Sequence, residues 1–420
     1  MKILSVSFSD LKGGAAKAAY RLHRGLLSAG QDSLMLAGQK SSDDPQVAAP
    51  RSKIGKVWSL TGPVIDLLPT RLYPGRDFGN WSVNWLYNGA AGRINRMNPD
   101  ICHLNWVGNG MLPLADISRI KCPVVWTFHD MWPFTGGCHY DGGCGKYETQ
   151  CSGCPQLKSR RASDLSRWGW KAKSRAWLSK KYTVVAPSHW MARSAGASNV
   201  LKNARIEIIP YGLDTEVYKP VDKKAAREIL NLPQDKRIVL FGAFSPGGDK
   251  RKGSALFFEA LPYLRRSFQP RDLEIVIFGH RDGISSSGAG YDITTTGYLH
   301  DDQSMALLYS AADLQVVPSL QDNLPNTVLE SLACGTPVAA FNTGGMPDMI
   351  DNMENGYLAK PFDACDLAEG IKWILRKSEG GGELKTAARE KALREFGLER
   401  TVESHLNLYR ELVREGAGHV

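Results

Sequence analysis

At 420 residues the chain is too long for one ordinary core and suits two domains of about 200 residues each. Its 43% hydrophobic and 23% charged content are those of a soluble globular protein, and no run of eighteen apolar residues exists to span a membrane. The net charge of +9 is uneven: residues 1–200 hold 26 Lys and Arg against 12 Asp and Glu, while the remainder holds 26 against 31. A first half at +14 suits nucleic acid, an anionic membrane or a phosphorylated substrate, and composition does not choose among them.

The opening MKILSVSFSD reads as a short apolar strand, too brief for a signal peptide, and sets the expectation of a cytoplasmic enzyme. Apolar, β-branched runs then alternate with helical stretches, the signal of parallel α/β sheets. Strands are expected at 3–6, 33–37, 101–104, 124–128 and 182–186 in the first half, and at 206–209, 238–241, 274–278, 313–317 and 337–341 in the second. Helices are expected at 15–29, 225–230, 255–265 and 303–311, with the tail 386–415 as one charged amphipathic helix. A turn-rich segment at 210–214 marks a boundary. The expected layout is a first domain at 1–210, a second at 211–385, and a terminal helix at 386–420 bracing the first. Ligands of doubly wound sheets bind outside the C-terminal strand ends, so the residues at those ends carry the functional argument.

After the first strand come Gly13 and Gly14, just before a helix. They permit a tight turn, and equally a close backbone approach to an anion at a helix N-terminus. His129 follows the strand at 124–128; it reads as a packed strand-end residue or as a side chain facing ligand. Cys138, Cys144, Cys151 and Cys154 then fall within seventeen residues, in an insert at 136–156. Four thiolates could close a tetrahedral structural zinc site, with metal-free reduced thiols as the alternative; an open catalytic metal position is not expected. The stretch 158–181 is basic and carries Trp168, Trp170 and Trp177, a mixture suited to a membrane interface or to a helix packed on the core. The apolar, aromatic segment 57–73 adds to the membrane reading.

In the second half, Lys250, Arg251 and Lys252 stand in a glycine-flanked loop before a helix, chemistry suited to a diphosphate or to plain solvent. The run from Val317 to Val338 reads as strand, polar turn, helix, glycine stop at Gly335 and second strand. Asp322, Asn323, Leu324 and Thr327 cluster at the positive start of that helix, and Glu330 lies further along it. Gly344 and Gly345 follow the next strand.

In combination these segments resemble the retaining glycosyltransferases of family 4, most strongly from residue 206 to 358. Glu330 matches the second acid of the family's E-x7-E region; at the first position stands Asp322, one methylene shorter. Lys252-Gly253 matches a family lysine, whereas the family's strand-proximal arginine is absent and Gly242-Ala-Phe stands there instead. The resemblance implies a GT-B fold of class α/β, two Rossmann-like doubly wound domains facing across a cleft. It implies transfer of a sugar from a UDP- or GDP-linked donor to an acceptor hydroxyl, with retained anomeric configuration and no catalytic metal. By that resemblance Lys252 and Arg251 neutralise the leaving diphosphate, helped by backbone N–H groups near Asn323, Leu324 and Thr327. Glu330 takes the ribose hydroxyls, Asp322 the donor sugar, and His129 orients that sugar. Gly13 and Gly14 meet donor phosphate or acceptor.

The Cys-rich insert resembles that of a subset from bacterial exopolysaccharide and O-antigen (lipopolysaccharide) assembly. The implied acceptor is a glycan or a polyprenyl-diphosphate oligosaccharide at the inner membrane surface. Alternatives are a nucleotide-sugar 2-epimerase and a non-catalytic glycosyltransferase-like subunit. A zinc-containing nucleic-acid binder would leave the second half unexplained, so no nucleic-acid partner is expected.

Overall fold

The computed structural model describes residues 1–50, 52–77, 79–178, 180, 182–243, 249–279, 290–379 and 382–417. They fall into two compact units, Met1–Tyr211 with Thr401–Val420, and Gly212–Arg400.

The first unit is built on a parallel sheet of seven strands: β1 (Lys2–Ser9), β2 (Asp32–Gln39), β3 (Val47–Ala48), β4 (Ile101–Leu104), β5 (Val124–Thr127), β6 (Thr183–Ala186) and β7 (Arg205–Ile208). Their order is β3-β2-β1-β4-β5-β6-β7. Every residue of β4, β5 and β6 is buried, as a sheet covered on both faces requires, and hence their unbroken apolar runs. Helix α1 (Gly14–Ser28) packs its alanine face on β1 and β2, while α2 (Lys53–Asp66) bears an internal proline, Pro63. Helix α3 (Leu165–Leu178) is the basic, tryptophan-bearing stretch. Its Trp177 is buried and donates from Nε1 to Pro133 O at 2.8 Å; Trp170 packs against the core, and only Trp168 is exposed. Lys173 also points inward, donating to the Trp132 and Thr135 carbonyls with its ammonium 4.1 Å from the Trp132 ring centre. Burial pushes that ammonium down to about 7. The core-packed reading of the stretch therefore holds for two of its three tryptophans.

The second unit carries six parallel strands: β8 (Arg237–Ala243), β9 (Leu273–Gly279), β10 (Asp292–Gly297), β11 (Leu314–Val317), β12 (Val338–Phe341) and β13 (Gly356–Ala359), ordered β10-β9-β8-β11-β12-β13. Helix α4 (Asn326–Ala333) joins β11 to β12 and ends at Gly335 in the left-handed region, φ 73°. Gly335 N–H then bonds Leu332 O and Thr336 N–H bonds Ser331 O, closing the helix end.

The strand expected at 206–209 pairs with β6 in the first sheet, inside the first domain expected at 1–210. Two expectations need correction. Strands β3, β10 and β13 were not anticipated; all three are sheet edges. The tail is two helices, Glu383–Phe396 and Leu398–Ala417, because Gly397 is extended and forms a bridge with Leu213. Leu213 N–H donates to Phe396 O at 2.8 Å, and Leu213 O accepts from Leu398 N–H at 3.0 Å. From Thr401 onward the last helix belongs to the first unit, where Tyr409 Oη lies 2.6 Å from His103 Nδ1 and Arg205 forks onto Glu411 at 2.7 and 2.9 Å.

Candidate active site

Each sheet reverses its strand order once near its middle, between β1 and β4 in the first unit and between β8 and β11 in the second. Loops leaving the C-terminal ends of such a strand pair diverge and open a crevice, where doubly wound sheets hold ligands. In the second unit the two diverging loops bring Arg251 and Lys252 (after β8) onto Asp322 (after β11).

That contact gathers charge at the second unit's switch point. Lys252 Nζ donates to Asp322 Oδ2 at 2.6 Å, and Arg251 Nη1 lies 3.3 Å from the same oxygen. Asn323 N–H donates to Asp322 Oδ1 at 3.0 Å. Arg251 is held in turn by Gln321 O at 2.7 Å and Asp249 Oδ2 at 2.9 Å. Burial alone would push the Asp322 carboxyl up, but the Lys252 and Arg251 cations outweigh it and hold it well below the usual carboxylate range. Arg251 and Lys252 are thus balanced by Asp249 and Asp322, and a ligand of more than one negative charge entering the crevice would compete for the same two cations.

Two glycines make this approach possible. Gly253, at φ 71°, has its Cβ position 1.8 Å from Pro318 O, and Gly344, at φ 58°, has its own 2.0 Å from Asp322 O. Any side chain at either place would collide with backbone of the Asp322 loop. Gly345 N–H closes the arrangement by donating to Asp322 O at 3.0 Å.

Along α4, Asn323 and Leu324 are buried in the preceding turn and Thr327 is half-buried in the first helical turn. Pro325 takes the N-cap position, one residue earlier than a first-turn proline. Glu330 is buried, and Tyr309 Oη donates to its Oε2 at 3.0 Å. Burial, with Glu330 beside it, pushes the Tyr309 phenol well up, so the phenol keeps the proton it donates. Residues 244–248 of the expected phosphate loop lie outside the described residues.

In the first unit, Gly13 caps α1 at φ 92° and Gly14 opens the helix, directly after β1. Asp10 organises the turn: its carboxylate accepts from the backbone N–H groups of Leu11, Ser41 and Ser42. His129 is buried just past β5, with both ring nitrogens engaged. Asn105 gives its amide N–H to Ser5 Oγ at 3.0 Å, so its Oδ1 faces His129 Nε2 at 3.1 Å. This fixes the Nε2–H tautomer and leaves Nδ1 to accept from Tyr211 Oη at 2.7 Å. Burial pushes the imidazole down to about 4, so His129 is neutral at pH 7 and is built to orient rather than to carry charge. Asn105 and Tyr211 were not singled out in the sequence. Asn105 directly follows a buried strand at the switch point, which is the signal that could have found it.

The four insert cysteines lie near enough for Cys138 to feel Cys144, Cys151 and Cys154, but they pack in different surroundings. Cys138 and Cys154 pack with Trp81, Val83 and Leu157, whereas Cys151 packs in the main core, with Phe134 and Tyr147 among its members. Backbone N–H groups point at three of the sulfurs: Lys146 at Cys144, Gly136 at Cys151, and Gln156 and Leu157 at Cys154. Burial pushes all four thiols up, Cys151 to about 12. Among the described residues no group of three or more His, Cys, Asp or Glu is arranged to hold a metal ion. The adjacent His139 is engaged by Asp130 Oδ2 at 2.6 Å and Ser82 Oγ at 2.9 Å.

A family model described as Glycosyltransferase Family 4 matches residues 12–217, and one described as Glycosyl transferases group 1 matches residues 235–377. The D-inositol 3-phosphate glycosyltransferase of Mycolicibacterium paratuberculosis is 30% identical over 224 residues, 50% of this chain and 48% of that protein. The chain thus spans about half the length of the curated relatives it matches. Among solved structures, sucrose-phosphate synthase from Thermosynechococcus elongatus superposes with a TM-score of 0.68 at 22% identity, covering 99% of this chain and 100% of that one. Anabaena HepE in complex with UDP and glucose superposes with a TM-score of 0.65 at 16% identity, covering 97% and 99%. The fold likeness runs through both Rossmann-like units, and the two family models account for each in turn: the chain belongs to the family 4 glycosyltransferases of GT-B fold.

Proposed function

We propose that this protein moves a hexose from a UDP- or GDP-linked donor to a hydroxyl of a glycan or polyprenyl-diphosphate oligosaccharide. The reading includes retained anomeric configuration and a role in bacterial cell-surface polysaccharide assembly at the inner membrane. The observation that carries it is the closure of Lys252 and Arg251 on buried Asp322 at the switch point of the second sheet. Asp322 holds the two cations that a diphosphate would recruit. As the sugar–phosphate bond breaks, charge grows on the leaving diphosphate, and Lys252 and Arg251 stand ready to take it. Fixed dipoles at the start of α4 add to the same stabilisation. Glu330, oriented by Tyr309, offers acceptor oxygens to ribose hydroxyls. His129, uncharged and clamped by Asn105 and Tyr211, presents an oriented ring to the sugar.

The deciding experiment is a calorimetric titration of the protein with UDP, GDP, ADP and TDP, with Glu330→Ala alongside. One nucleotide should bind and lose its affinity in the variant. Absence of binding to all four would defeat the transferase reading. Proton NMR of the product's anomeric signal then reports retention or inversion.

A further inference from the structure

Helix α2 is apolar on two sides at once. One flank, with Gly55, Trp58, Ser59 and Pro63, roofs an apolar hollow of about 530 Å³, counted to its open mouth, whose floor includes Phe8 and Ile94. The outer side is bare. Val57, Leu60, Val64, Leu68 and Leu72 recur three or four residues apart through α2 and the 3-10 turn Leu68–Leu72, and all five are exposed, Leu60 at 72% and Leu72 at 81%. That spacing puts α2's members on one helical stripe. Five adjacent exposed branched side chains form a patch, which water does not favour.

The exposed charges of α2 and its following turn have one sign. Lys53, Lys56 and Arg71 are exposed, whereas the sole acid of residues 52–76, Asp66, is turned inward. Its carboxylate accepts from the backbone N–H groups of Val83 at 2.9 Å and Asn84 at 2.6 Å. At fourteen residues α2 is too short to cross a bilayer, and no helix among the described residues is long and apolar enough to do so. An amphipathic helix with a cationic margin lies in the interface instead. A second copy of the chain, docked by two-fold symmetry, would set these cations against one another.

We propose that α2 and its following turn seat the first unit on an anionic lipid bilayer. The five side chains enter the boundary between headgroups and acyl chains, while Lys53, Lys56 and Arg71 meet lipid phosphates. This deepens the reading above, in which the acceptor rides on a lipid, and replaces the α3 tryptophans as the membrane element.

The test is co-sedimentation of the full chain with phosphatidylcholine vesicles, with and without a quarter of phosphatidylglycerol, at low and high salt. Binding to the anionic vesicles is expected, weakened by salt, and weakened about tenfold or more by Leu60→Asp with Leu72→Asp. Lys53→Glu with Lys56→Glu should weaken binding independently, and Trp168→Asp should leave it unchanged. Absence of vesicle binding, or leucine and lysine variants that bind as the wild type does, overturns the proposal. So does a lipid-free dimer that the leucine variant dissolves, since the face would then belong to a second copy. Nucleotide titration of the same samples separates the two readings. Vesicle binding without nucleotide binding keeps the docking face and removes the transferase reading; nucleotide binding alone does the reverse.

Discussion

Asp322 is where this chain departs from the pattern it resembles, and the geometry gives that departure a consequence. A carboxylate one methylene shorter than glutamate still reaches both Lys252 and Arg251, because its loop is drawn in by the Gly253 and Gly344 contacts. Asp322 therefore competes with phosphate for the same cations. Asp322→Asn is expected to bind the nucleoside diphosphate as tightly as the wild type or more so, while transfer falls; weaker diphosphate binding in calorimetry would remove the competition argument. Lys252→Ala acts oppositely. It removes a charge-assisted contact worth about 1.5–3 kcal/mol, so diphosphate affinity should drop about 10- to 100-fold. A titration curve matching the wild type would show that Lys252 serves only Asp322.

At the scale of elements, burial separates most of what the sequence announced from what it hid, the expected edge strand β7 excepted. Central strands such as β4, β5, β11 and β12 are buried along their whole length, so their apolar runs declare them. Edge strands have one neighbour and a solvated flank. β10 reads Asp-Ile-Thr-Thr-Thr-Gly, β13 begins on a glycine, and β3 has two residues, so none of them stands out. The same logic covers the site. Asp322, Glu330, Lys252 and His129 stood out as candidates because charged or titratable residues follow central strands, in a turn or in the next helix, in a pattern the family shares. Asn105, Tyr211 and Tyr309 were not, since their roles come from partners 24, 82 and 21 residues away in the chain. Glycine placement was legible as punctuation but not as contact. Gly253→Ala puts a methyl group into Pro318 O and must displace the loop bearing Lys252, an error of backbone position costing about 1–3 kcal/mol. Diphosphate affinity should fall about tenfold, with the tryptophan emission of the first unit unchanged. Native affinity in this variant would show that the loop adjusts without moving its lysine.

For the whole molecule, the two units should answer acid differently. His129 and His405 are fully enclosed in the first unit, and burial pushes each down to about 4; His103 is pushed well below its ordinary value by burial, with His405 and His129 beside it. A histidine with a depressed folded value gives stability that is present above its unfolded value and lost as pH falls, because the unfolded chain takes up the proton first. The shifts of His129 and His405 are each worth about 3 kcal/mol, lost between about pH 6.5 and pH 4. Together they rival the whole stability of an ordinary domain, about 5–15 kcal/mol. The second unit has no such buried histidines among its described residues: its depressed carboxylates, Asp301 and buried Asp322, stay ionised through that window. The first unit should therefore unfold alone on acidification. Ten of the eleven tryptophans lie in it, Trp373 being the exception, so their emission reports that unit almost exclusively. A red shift centred between about pH 6.5 and pH 4 is expected, moved to lower pH in His405→Gln. Emission that stays constant across the window would mean that the buried imidazoles can be protonated in place. In that case the His103–Tyr409 and His129–Asn105 contacts would not be holding the first unit together.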